Sequence, residues 1–498
     1  MDRRQFLRTV SFGSLTGCLA KQLLAAEEAL REASSERKPG KSRRCPNILF
    51  AISDDQSWVH TGASGDRVVK TPVFDNVARE GVLFTHAFCS APSCTPSRGA
   101  IVTGQAAFRL EEGADLWSTL PAKFEVYPDL LEAAGYHVGF TRKGWGPGQF
   151  EPGGRARNPA GKPFKNFEVF LKSVPGGEPF CFWFGSTDPH RPYVKGSGVR
   201  SGKKLEDVAV PPFLPDAAEV RSDILDYYVE VERFDRGVGE MLKLLRERGV
   251  LDNTMVVITS DNGMPFPRAK ANLYDYGTRL PLAISWPARV RGGRVVDDFI
   301  SFADFAPTFL EAAGLEPPSA MTGRSFLPLL TSGKAGHIEP DRDTVFTGRE
   351  RHAFCRKGGL GYPCRAIRTE HFLYVRNFEP DRWPAGDPEV YGDIDGSPTK
   401  NFMMEHRDAN NVAPLFRLAF NKRPAEELYD LEKDPAQMKN VAALPEYAEA
   451  KKKLRAQLDR WMKDVGDPRA FGRGSEWDRQ PYYGGINQKF LLAPEKKP

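Results

Sequence analysis

The run Asn47-Ile48-Leu49-Phe50-Ala51-Ile52-Ser53 ends directly on Asp54-Asp55. Seven residues with almost no polar break read as a strand buried on both faces, and an acidic pair marks its carboxyl end. The same grammar returns later, where Met255–Ser260 ends on Asp261-Asn262. Between the two the chain alternates. Pro72–Glu80 reads as a short helix, with Pro at its start and Gly81 just past its end. Val82–Phe88, Tyr136–Thr141 and Phe180–Phe184 read as strands, and Pro128–Ala134 as a helix stopped by Gly135. Ser222–Arg248 carries Leu225, Tyr228, Val231, Phe234, Val238, Met241, Leu242 and Leu245 at helical spacing. Strand–helix alternation of this kind predicts an α/β fold with a mainly parallel sheet and helices on both faces. Gly/Pro-rich stretches at 146–163 and 195–202 read as long loops of the kind that carry function.

After about residue 340 the pattern changes. Short strand-like runs, Ala366–Thr369 and Phe372–Val375, precede a charged helix at Pro445–Val465. The expected organisation is a leader over 1–44, a catalytic domain over 45–340 and a smaller α+β domain over 341–498. A chain of 498 residues is long enough for several cores.

The formal charge of +5 does not describe the folded part. Residues 1–44 hold ten Lys/Arg and five Asp/Glu, so the rest of the chain is net neutral. That argues against a nucleic-acid binder. No apolar run is long enough to span a membrane. Arg3-Arg4-Gln5-Phe6-Leu7-Arg8 resembles a twin-arginine export signal, and Leu15-Thr16-Gly17-Cys18 resembles a lipoprotein cleavage box. A disordered basic tail is the alternative. Export to the periplasm or cell surface is the expectation, and Cys355 and Cys364, which bracket a Gly-rich loop, are then the candidate disulfide.

The two acidic pairs stand where ligands bind in open α/β sheets, at the carboxyl ends of strands. Asp54, Asp55, Asp261 and Asn262 offer oxygen donors suited to calcium or magnesium. Asp also ends strands as a turn former, so neither pair decides alone. A third stretch, Ser93-Cys94-Thr95-Pro96-Ser97-Arg98-Gly99-Ala100-Ile101-Val102-Thr103-Gly104, places Cys94 at a helix N-terminus. Free N–H groups there favour an anion, and Arg98 adds a planar donor fork for sulfate or phosphate oxygens. A buried core thiol is the bland reading of Cys94.

Cys-x-Pro-Ser-Arg followed by four residues and Thr-Gly resembles the signature of the type I sulfatases. The order along residues 45–450 also fits: Asp-Asp, the cysteine motif, a Lys after a strand, Pro-His, then Asp-Asn. The resemblance implies an alkaline-phosphatase-like sandwich with a smaller C-terminal domain. It implies that a formylglycine-generating enzyme oxidises Cys94 to formylglycine. One hydroxyl of the hydrated aldehyde then binds the cation and attacks sulfur, and the other expels sulfate. By the same resemblance Asp54, Asp55, Cys94, Asp261 and Asn262 surround the cation, Ca2+ or else Mg2+. Arg98, Lys143 and Lys270 meet the formylglycine and the sulfate, and His190 stands beside the leaving group. The family usually has a His two positions after the first Lys; Trp145 stands there, which leaves one acid/base group missing.

Asp188-Pro189-His190-Arg191 and Ser260-Asp261-Asn262-Gly263-Met264-Pro265-Phe266-Pro267 resemble heparan N-sulfatases. This implies a sulfated sugar or glycosaminoglycan oligosaccharide as partner, an N-sulfated terminal glucosamine as substrate and Asp188 as a sugar contact. An O-sulfatase on another glycan, and a glycan-binding protein whose Cys94 is never matured, are the competing readings. Arg349-Glu350-Arg351-His352 reads either as pocket lining or as a solvated charge run.

Overall fold

In the computed structural model, which describes residues 45–388 and 390–491, β1 (Asn47–Ser53) is buried along its whole length. Its side chains alternate between two apolar layers. Ile48, Phe50 and Ile52 face a cluster with Trp183, Phe305 and Phe309, while Leu49 and Ala51 face Phe74, Val77, Phe234 and Val238. A strand with two apolar faces has to be covered on both, and helices do so here.

β1 lies at the middle of an eight-stranded sheet. The other strands are β2 (Val82–Phe88), β3 (His137–Arg142), β4 (Lys162–Pro163), β5 (Phe180–Gly185), β6 (Thr254–Ser260), β7 (Arg279–Ser285) and β8 (Arg294–Ser301). Their order is β4-β3-β5-β1-β6-β7-β2-β8. All pairings are parallel except those of β7 with β6 and β2. The reason for the reversal is local. The chain leaves β6 at the carboxyl edge, stays there through residues 261–278, and so re-enters the sheet running the opposite way.

A second, antiparallel sheet orders as β12 (Glu426–Asp430), β11 (Phe372–Asn377), β10 (Cys364–Thr369) and β9 (Thr344–Arg349). The helix Ala448–Asp464 lays Leu454, Leu458 and Met462 on Ile367, Tyr374 and Leu428 of that sheet. The described residues from Cys45 onward form one compact unit, within which both sheets lie. No helix among the described residues is long and apolar enough to cross a membrane. The export signal and lipobox expected in residues 1–44 lie outside the described residues.

Two expectations change. The long helix begins at Ala218, four residues earlier than its apolar spacing predicts, and runs to Glu247. Cys355 and Cys364 are both free and buried. The Cys364 thiol faces the carbonyl of Tyr362, whereas Cys355 packs beside Gly386 and Gly392. The chain between them carries Arg356 into an ion pair with Asp393 and does not close into a disulfide loop.

Candidate active site

Parallel pairing of β1 and β6 sets Ser53 opposite Ser260. The next residues, Asp54-Asp55 and Asp261-Asn262, therefore leave the sheet side by side. Consecutive strand residues point to opposite faces. The chain escapes that rule at Asp55, whose φ of 74° lies in the left-handed region that Asp tolerates better than most residues. Asp55 thereby joins Asp54 in one cluster. Ligand atoms of Asp54, Asp55, Cys94 and Asp261 all lie within 4.8 Å of one another, and all four residues are buried. The Asn262 amide donates to Asp55 at 2.7 Å, while its Oδ1 is buried with no hydrogen-bond partner.

Cys94 opens the helix Cys94–Thr103, all ten residues of which are buried. Ser93, at the N-cap, is extended and makes no side-chain cap. Ser97 and Arg98, one turn in, tie the helix to β6. Ser97 Oγ donates to the Asp261 carbonyl, and Arg98 Nε to Asp261 Oδ2 at 2.8 Å. Arg98 Nη1 meets the carbonyls of Lys143 and Gly144, each at 2.9 Å, and Nη2 is buried without a partner. The cluster thus leaves one orphaned acceptor, Asn262 Oδ1, and one orphaned donor, Arg98 Nη2. A cation would satisfy the first of these atoms and an anion the second.

Two lysines come from neighbouring loops. Lys143 follows β3, and its Nζ lies 2.6 Å from Asp54 and 3.8 Å from Asp261. Lys270 lies in the segment after β6, 2.7 Å from Asp55 and 3.2 Å from Asp395. Burial alone would push the Asp54 carboxyl up, but Lys143, Arg98, His190 and Lys270 hold it well below the usual carboxylate range. Asp55 moves the other way: burial, with Asp54 and Asp261 beside it, outweighs Lys270 and His190. Burial and the Asp54 carboxylate push the Cys94 thiol well up, so the sulfur is held as a thiol. Both lysines stay charged, because the carboxylates outweigh burial.

His190 comes from the loop after β5, where the Asp54 N–H donates to the Asp188 carbonyl at 3.0 Å. Its Nδ1 lies 2.6 Å from the Arg191 carbonyl, which fixes Nδ1 as a donor. Nε2 faces Asp55 at 3.8 Å. Asp188 stands at the same edge between Arg142, at 3.7 Å, and Arg233, at 3.3 Å. Trp145 is far from a solvent-facing acid/base role. It is 3% exposed and its indole lies against Gly99 in the core.

The charge run at 349–352 is buried throughout. Arg349 pairs with Asp393, Glu350 with Arg365 at 2.7 Å and Arg469 at 2.6 Å, and Arg351 with Asp115 at 3.2 Å. His352 turns to the cluster, with Nδ1 2.8 Å from Ser93 Oγ, and burial pushes its pKa down to about 3. Asp393 and Asp395 are the residues that motif reading missed. They lie about 300 residues from Cys94 in no recognisable pattern, and a lone Asp in a Gly/Pro-rich stretch reads as a turn.

Comparison with known proteins bears on the family and the fold. The sequence model described as Sulfatase matches residues 46–153 and 162–315. A second, described as N-sulphoglucosamine sulphohydrolase, C-terminal, matches residues 268–387. The chain is 30% identical to human N-sulphoglucosamine sulphohydrolase, over 85% of this chain and 91% of that one. It is 29% identical to an ulvan-active sulfatase of Formosa agariphila, over 85% and 81% respectively. A solved structure holding its substrate D-glucosamine-2-N,6-O-disulfate superposes with a TM-score of 0.63 at 20% identity, covering 85% of this chain and 99% of that one. A phosphonate monoester hydrolase of Agrobacterium radiobacter superposes at 0.61 with 18% identity, covering 84% and 96%. With a family match over more than half its length and that identity across most of it, this chain belongs to the sulfatase family.

Proposed function

We propose that this protein removes the N-sulfate from a non-reducing-end glucosamine of heparan-type glycans, using a formylglycine formed from Cys94 and a Ca2+ ion, with Mg2+ as the alternative. The convergence of Cys94 with Asp54, Asp55 and Asp261 at the mouth of two parallel strands carries the reading. The donor set suits a hard divalent ion: three carboxylates and the orphaned Asn262 Oδ1. Asp54, Asp55, Asp261 and Asn262 would hold such an ion, which would supply Lewis-acid positive charge at this edge of the sheet. Formylglycine supplies a hydroxyl nucleophile, and the protonated Cys94 thiol is a poor substitute for it.

The chain's own residues do the rest. Arg98 Nη2, Lys143 and Lys270 hold sulfate oxygens by charge-assisted contacts in a dry pocket. His190, its Nδ1–H on the Arg191 carbonyl, delivers a proton from Nε2 to the departing amine nitrogen as the N–S bond breaks. Asp188, oriented by Arg142 and Arg233, meets the sugar. Similarity to human N-sulphoglucosamine sulphohydrolase over 85% of the chain supports the N-sulfate reading, as does the match of residues 268–387 to its C-terminal model. The twin-arginine-like leader supports export to the periplasm or cell surface, where sulfated glycans are met, and a formylglycine-generating enzyme is the maturation partner.

The test compares sulfate release from N-sulfated glucosamine and from 6-O-sulfated N-acetylglucosamine under the same conditions. Faster release from the N-sulfated sugar is expected. Faster release from the O-sulfated sugar would move the chain to the O-sulfatases, and no release from either by enzyme with intact Cys94 would leave it a glycan binder.

A further inference from the structure

An acidic residue stands at the mouth of a pocket built for an anion. Asp395 Oδ2 lies 3.2 Å from Lys270 Nζ, which in turn lies 2.7 Å from Asp55. His190 Nε2 lies 3.8 Å from the same Asp55 oxygen. The side chains around the cation cluster are shut away, from 0% exposed at Asp55, Arg98 and Asp261 to 16% at Lys143. His190 and Asp395 are open, at 37% and 30%. His190 and Asp395 are thus the solvent-facing groups beside the two residues, Asp55 and Lys270, that they contact.

The loop that carries Asp395 is fixed on both sides. The buried Lys400 ammonium donates to the carbonyls of Val390, Tyr391 and Ile394 at 2.8, 2.9 and 2.8 Å. Asp393 pairs with Arg349 and Arg356 and accepts the Ala353 N–H at 2.8 Å. Ser397 caps the following helix, Pro398–Glu405, through the Lys400 N–H. A buried Lys and a buried Asp spent on one loop hold the residue between them at a set place, as recognition requires.

Asp395 is ionised: Lys270, His190 and His352 outweigh burial and hold its carboxyl down to about 2. It cannot help bind sulfate, since like charges repel. Lys270 takes Oδ2, and Oδ1 has no hydrogen-bond partner among the described residues. What a free carboxylate oxygen beside a sulfate pocket can hold is a neutral donor on the sugar. On a non-reducing-end glucosamine glycoside the C1 oxygen is taken by the glycosidic bond, so the C3 hydroxyl is the donor adjacent to the sulfated C2 position. Building on the N-sulfated sugar proposed above, we propose that Asp395 determines specificity by accepting a hydrogen bond from the hydroxyl next to the sulfated position and by repelling a second sulfate placed there. Both effects act on the same ratio of substrates.

The experiment uses the matured, metal-loaded full chain. It compares kcat/KM for three methyl glycosides of N-sulfated glucosamine: the parent, its 3-deoxy analogue and its 3-O-sulfated analogue. Wild type should prefer the parent over each by at least about tenfold. Asp395→Asn keeps an accepting oxygen and loses the charge. It should keep the parent/deoxy ratio and lower the parent/disulfate ratio by about tenfold or more. Asp395→Ala should lower both ratios. If Asp395 only tunes Lys270, each variant slows all three substrates alike and leaves the ratios unmoved, which overturns the proposal. Equal wild-type rates on parent and 3-deoxy sugar overturn it without any variant. Should no N-sulfated sugar be turned over, the N-sulfatase reading fails. The same comparison on the O-sulfated sugar that is cleaved, with its adjacent hydroxyl present, removed or sulfated, then decides the role of Asp395.

Discussion

Single atoms decide the chemistry of this site. Replacing the Cys94 sulfur by oxygen removes the group that maturation oxidises. Cys94→Ser, expressed in a host that oxidises only cysteine, should lower turnover by roughly 10⁵-fold, since loss of a nucleophile removes nearly all covalent catalysis. Mass spectrometry of the peptide and a rate assay check this together; unchanged turnover with the introduced serine unmodified would refute the formylglycine reading. Asp261 holds Arg98 at 2.8 Å and accepts the Asp55 N–H at 3.1 Å, so Asp261→Ala would strand a buried guanidinium. Asp261→Asn keeps the shape and loses the charge. It should weaken cation binding by at least about tenfold, as even outer-shell changes do. Calcium at a hundred times its Kd should stabilise wild type by about 2.7 kcal/mol and the variant by clearly less. Equal thermal shifts on adding calcium would argue against Asp261 as a ligand.

At the scale of elements, the site is a product of strand ends. The β1/β6 register brings two acidic pairs together, and the loops after β3 and β5 add Lys143 and His190. Trp145 belongs to the same loop as Lys143 but points inward. Asn158 holds its backbone on both sides, at 3.0 and 2.9 Å. Restoring the usual residue with Trp145→His should therefore not raise activity. It should open a cavity beside Gly99 and cost about 3 kcal/mol, as large-to-small core changes do. Denaturant melts and kcat/KM would show this; faster turnover would mean that the loop swings the ring into the pocket. Most of the elements are legible from apolar spacing: β1 and the helix Pro72–Glu80 end where the sequence places them. The antiparallel turn of β7 is not, since its residues Arg279–Ser285 are as apolar as those of a parallel strand.

At the scale of the whole molecule, buried neutral histidines link stability to acid. His60 and His352 are both 4% exposed, and burial pushes their pKa down to about 4 and about 3. Unfolded, each takes up a proton near pH 6.5. Below that pH the unfolded chain binds more protons than the folded one, so stability falls as pH drops toward 4. Each group contributes about 1.4 kcal/mol per pH unit across that window. Urea midpoints at pH 7, 6 and 5 should decline, and His60→Gln should decline less steeply. Parallel slopes for the two proteins would remove His60 from this account.

Two kinds of information meet in this chain. Sequence by itself determined the α/β class, the two acidic pairs, the cysteine motif with Arg98, and hence the sulfatase family, because each depends on residues close together along the chain. Strand ends place their next two residues at one edge, and a helix start places Cys94 and Arg98 one turn apart. Tertiary structure alone decided three matters. It buried the 349–352 charge run in ion pairs and aimed His352 at Ser93. It left Cys355 and Cys364 as free, buried thiols. It also brought Asp395, more than 120 residues beyond Lys270, to within 3.2 Å of it. Such contacts leave no trace in local spacing, because they form only when separately folded segments pack and each buried charge has to find its partner wherever the chain has carried it.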